Sequence, residues 1–118
     1  MSKATTEKNN TFNVSIHGQQ WKIQLLRNDA PELNYGKSYG ICVFNTYTIY
    51  LGEEINDNLL SVTLFHEIMH AHLAIISQLP ENERTEEVYA DHVGFMMAEV
   101  LPQISTWPVS VRKRLGIK

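Results

Sequence analysis

His66, Glu67 and His70, in the stretch "HEIMHAHL" (residues 66–73), are of types and at spacings that can do chemistry. On a helix, positions i and i+4 stand one turn apart on one face, so the two imidazoles can aim at a single point. Glu67 is turned about 100° from His66, too far to share that point but near enough to reach a water held there. This is the HExxH arrangement: two histidine arms for a zinc ion and a glutamate as general base. A tetrahedral catalytic zinc needs a third protein ligand and an open fourth position for water.

The spacing after His70 narrows where that ligand comes from. The metzincin pattern requires a glycine three residues on and a histidine three beyond that; Leu73 and Ile76 stand there instead. Another element must supply it. "TEEVYAD" offers Glu87 and Asp91, four apart on one helix face, with Gly94 further along to let two helices approach. Glu87 is assigned as third ligand, and Asp91 as the carboxylate that receives the distal N–H of a ligating histidine; the two roles can be exchanged. Tyr50, Tyr89, His92 and Arg84 are the candidates for a second oxyanion donor, with nothing to choose among them.

Other residues that resemble part of the cluster drop out. His72 is two past His70 and points to nearly the opposite face, His17 belongs to a turn, and lone Cys42 in a strand reads as a small hydrophobe.

The elements that must position these groups follow from periodicity. "FNVSIHGQQWKIQLL" alternates apolar and polar on both sides of Gly18, a hairpin with one buried face. Residues 28–40 collect Asn, Asp, Pro and Gly, a loop. "ICVF" and "YTIYL" form a second hairpin across Asn45 and Thr46, and "TIYL" is a candidate sheet edge for an extended peptide. From Asp57 or Asn58 as N-cap, more than twenty residues without Gly or Pro make a long helix with two adjoining apolar faces, expected to be covered by the sheet and by another helix. A second helix starts near Asn82 or Thr85 and stops before Pro102; a short third one has Pro108 near its first turn and ends in the basic run Arg112, Lys113, Arg114, expected to be solvated.

At 118 residues, the chain fits one domain (12–118) behind a flexible N-terminus (1–11). A net charge of −3 gives no basic field for nucleic acid or an anionic membrane, so neither is an expected partner. The single cysteine rules out an internal disulfide, and the polar "MSKATTEKNN" has no apolar core of a signal peptide; a cytoplasmic protein is expected.

With Glu87 in "EVYA" and Asp91 after it, the HExxH residues resemble the gluzincin pattern of zinc metallopeptidases. "TIYLGEEINDNLLSVTLFHEIMHAHL" is similar to the small ImmA/IrrE-type metallopeptidases of bacteria, phages and mobile elements, over residues 40–102. The resemblance implies an α+β, zincin-like fold: a small antiparallel or mixed sheet of about four strands packed on a long HExxH helix and a second, glutamate-bearing helix. It implies a Zn2+-dependent hydrolase that cleaves a peptide or protein substrate with a metal-activated water and Glu67 as base. The alternative from a different class is a non-catalytic, zinc-stabilised interaction module of a phage or regulatory system.

Overall fold

Strands β1 (Thr11–Ile16) and β2 (Gln19–Leu26) follow the alternation in the sequence: Phe12, Val14, Ile16 and Trp21, Ile23, Leu25 are all buried. The computed structural model describes residues 10–117, apart from the side chain of Ile75; the remainder of the N-terminal segment expected to be flexible lies outside them. The strands pair antiparallel, Phe12 opposite Ile23 and Val14 opposite Trp21. His17 and Gly18, both at positive φ (50° and 77°), make the two-residue turn whose twist matches the flanking strands.

β3 (Gly40–Val43) and β4 (Thr48–Gly52) form the second hairpin, antiparallel, joined by a 3-10 turn at Phe44–Thr46. β4 also pairs parallel with β2, from Lys22 opposite Thr48 to Leu26 opposite Gly52. The result is a four-stranded mixed sheet in the order β1-β2-β4-β3, in an α+β architecture. This corrects one expectation: "TIYL" is not an edge but an internal strand, with Ile49 and Leu51 fully buried. A strand so apolar is stabilised by neighbours on both sides and by cover on its faces. The edge beside the HExxH helix is β3.

Helix α1 (Asp57–Ile76) begins one residue later than its cap: Asn56 Oδ1 accepts from Leu59 N–H at 2.9 Å, so Asn56, not Asp57 or Asn58, is the N-cap. Asp57 thus falls in the first turn, where the helix dipole favours its charge. Leu60, Leu64, Ile68 and Ala71 are buried in the core that α1 shares with the sheet, each large aliphatic contributing about 1.5–3 kcal/mol. The second apolar face is only partly covered: Phe65, Met69 and Leu73 are half-buried and Val62 is exposed.

Helix α2 (Glu86–Ile104) is capped by Thr85, whose hydroxyl accepts from Val88 N–H at 3.3 Å. It runs through Pro102 rather than stopping before it. Pro102 lies in the last turn, where only one backbone bond is lost, and the fully buried Ile104 and the Trp107 ring, stacked on Phe12 at 4.9 Å, hold that end against the hairpin. Gln103 accepts from Ser15 N–H (2.6 Å) and donates to Ser15 O (2.8 Å), imitating a neighbouring strand along the free edge of β1.

Helix α3 (Val109–Arg114) starts after Pro108 as expected, but its basic end is not simply solvated. Arg114 donates to Glu53 O (2.9 Å), Ile55 O (2.6 Å) and Asp57 Oδ1 (2.9 Å), and so clamps the connection from β4 into α1. No helix among the described residues is long and apolar enough to cross a membrane.

Candidate metal centre

On α1, His66 Nε2 and His70 Nε2 stand 3.2 Å apart, their rings nearly perpendicular at 83°. Two nitrogens on a tetrahedral zinc, each about 2.0–2.1 Å from it, are separated by about 3.3 Å. The pair therefore has the spacing of two adjacent ligands. Glu67 completes a group whose ligand atoms all lie within 4.8 Å of one another, with its Oε2 3.8 Å from His66 Nε2.

The three side chains differ in exposure, and the helix turn explains why. His66 and His70 face solvent, whereas Glu67 points toward β3 and is 6% exposed. Burial raises its carboxyl pKa above the ordinary 4.5, partly offset by His66 and His70. Gly40 makes room: a Cβ there would stand 2.6 Å from Thr63 Cγ2 and 3.1 Å from Glu67 Cγ. Burial and the nearby Glu67 charge push the Cys42 thiol up to about 12, so it stays protonated at neutral pH and is a poor metal ligand.

Two clefts meet at His66. One of about 330 Å³ is lined by Ser38, Tyr39, Gly40, Val62, Thr63, His66 and Glu67; the other, of about 340 Å³, is apolar and lined by Phe65, Met69, His70, Leu73 and Met96 beside His66. Tyr39, which the sequence placed only in a loop, stands in the first cleft with the base and one histidine.

The remaining expected residues are placed elsewhere. Glu87 and Asp91 are both exposed on α2 and are not gathered with His66 and His70. No element packs closely on Gly94, where a Cβ would meet nothing within 4 Å. Arg84 donates to Leu79 O (2.9 Å) and Ser77 O (3.0 Å) in the connection that follows α1, and is engaged there. Tyr50 is half-buried on β4 and Tyr89 is exposed on α2.

His92 belongs to a different group. Its Nδ1 is 3.3 Å from His72 Nδ1, and both are gathered with His17. His72 does face away from His70, as helical spacing requires, but what it faces is two more histidines. It is fully buried, and burial, then His17 and His92, lower its pKa to about 4 against the pull of Glu99. Nothing local in the sequence signals this meeting of residues 17, 72 and 92.

Comparison with protein-family models, with curated proteins and with solved structures found no match.

Proposed function

We propose that this protein is a zinc-dependent peptidase of zincin-like fold, with His66 and His70 as metal ligands and Glu67 as general base. The observation that carries the reading is the 3.2 Å separation of the two Nε2 atoms with a buried carboxylate in the same group, at the mouth of an open cleft. Two imidazoles and a carboxylate suit zinc. A bound zinc would supply an acidified water and polarise the scissile carbonyl.

The third ligand is assigned to Glu87, with Asp91 as the alternative; both stand on the exposed first half of α2. Glu67 takes a proton as water attacks and returns it to the leaving amine, a task for which its raised pKa suits it. Tyr39 lines the same cleft and joins Tyr50 and Tyr89 as a candidate donor to the oxyanion. An extended substrate would lie along the open edge of β3, exchanging backbone hydrogen bonds with it.

Metal analysis of tag-free protein and a peptide-library digest test this reading. Wild type is expected to hold zinc and cleave; Glu67→Gln, to hold zinc without cleaving; His66→Ala, to lose both. Equal cleavage by wild type and Glu67→Gln would sink the peptidase reading. Loss of zinc in Asp91→Ala but not in Glu87→Ala would exchange the roles of those two carboxylates.

A further inference from the structure

We propose that His17, His72 and His92 form a second metal site, for a zinc-class divalent ion, joining the β1–β2 turn to α1 and α2. It is separate from His66 and His70 and does not depend on the peptidase reading. One ring nitrogen from each residue lies within 4.8 Å of the other two, and the 3.3 Å between His72 Nδ1 and His92 Nδ1 is again the edge of a tetrahedron built on Zn–N bonds of about 2.0–2.1 Å. An N–H···N hydrogen bond has a similar length but joins only two rings; here three converge.

Two further features favour a ligand over a packed core. His72 is fully buried; its Nδ1 lies at hydrogen-bond distance from His92 Nδ1 but its Nε2 has no partner among the described residues, so the imidazole is left underused where an aliphatic side chain would pack better. His17 occupies the first position of a turn that Asn fills with less strain, at φ 50° before Gly18. Its ring stands beside His72 at 4.3 Å between centroids, tilted by 60°, and its backbone N–H donates to Glu99 Oε1 at 2.9 Å. That carboxylate beside the rings offsets the charge of a divalent cation. His17 is exposed and His92 half-buried, which leaves an approach for the ion and a place for a water as fourth ligand.

Such an ion would cross-link three elements and fix α2 next to Asp91, the neighbour of His92. The test is titration of Zn2+, and separately Co2+, into chelator-treated, tag-free full-length chain, read by native mass spectrometry and by Co2+ visible absorption. Wild type is expected to bind two equivalents. His17→Asn keeps the turn and is expected to weaken one of them at least tenfold; His92→Gln reports the same loss from the other side of the cluster. One equivalent kept by His66→Ala and weakened by His17→Asn supports this site while removing the first. A single equivalent lost in His66→Ala and bound by His17→Asn and His92→Gln as tightly as by wild type overturns the proposal, as does no binding at all.

Discussion

Gly40 and Thr63 approach so closely that a Cβ on the glycine would stand 2.6 Å from the threonine Cγ2. Edge strand β3 therefore lies against α1 at the turn that carries Glu67, and the missing side chain sets the depth of the contact. Gly40→Ala is expected to lower stability by about 1–3 kcal/mol through overpacking. Thr63→Ser removes the offending methyl, so the double variant should recover part of the loss in urea denaturation. Additive losses would show that the close approach is not the cause.

Glu67 is a buried carboxyl whose pKa is raised, so the folded protein holds its proton to higher pH than the unfolded chain does. Its favourable contribution is complete below about 4.5 and is lost as pH rises through the folded value. In metal-free protein, Glu67→Gln is expected to melt above wild type at pH 7, with the gap closing toward pH 4. Melting temperatures measured in chelator across that range check it; a gap independent of pH would count against it.

His72 carries the opposite sign. Its pKa falls from the ordinary 6.5 to about 4, so it contributes stability above pH 6.5 that is lost as pH drops toward 4. At about 1.36 kcal/mol per unit, the loss is on the order of 3 kcal/mol in metal-free protein. His72→Leu should flatten this limb. Parallel declines in both proteins would assign the acid sensitivity to other groups.

Arg114 gathers Glu53 O, Ile55 O and Asp57 Oδ1 with one guanidinium. Arg114→Ala is expected to cost about 2–3 kcal/mol, because two half-buried carbonyls lose a charged donor. Arg114→Lys should rescue little, since a single ammonium does not span the fork. Chemical denaturation of the two variants separates lost geometry from lost charge.

How far the sequence could be read depended on distance along the chain. Alternation in β1 and β2, the turn at Gly18, and the shared direction of His66 and His70 are local consequences of period 2 and period 3.6, and they are legible. Sheet order is not local. "TIYL" has the composition of an edge or a centre, and only its parallel pairing with β2 makes it central. The same limit hid Tyr39 in the cleft, the clamp at Arg114, and the convergence of His17, His72 and His92. Glu87 and Asp91 share a face by their spacing on one helix, and spacing does not say how closely that helix packs against the next.

Helix α2 is docked by halves. Met96, Val100 and Ile104 are buried, while every residue from Glu86 to Phe95 is exposed or half-covered. Amide protons in the first half should therefore exchange through local openings, and those in the second half only when the molecule unfolds globally. The two carboxylates proposed to complete the metal site thus ride on the least protected part of α2, so hydrogen-exchange protection of Glu87 and Asp91 becomes a direct readout of whether they have been captured.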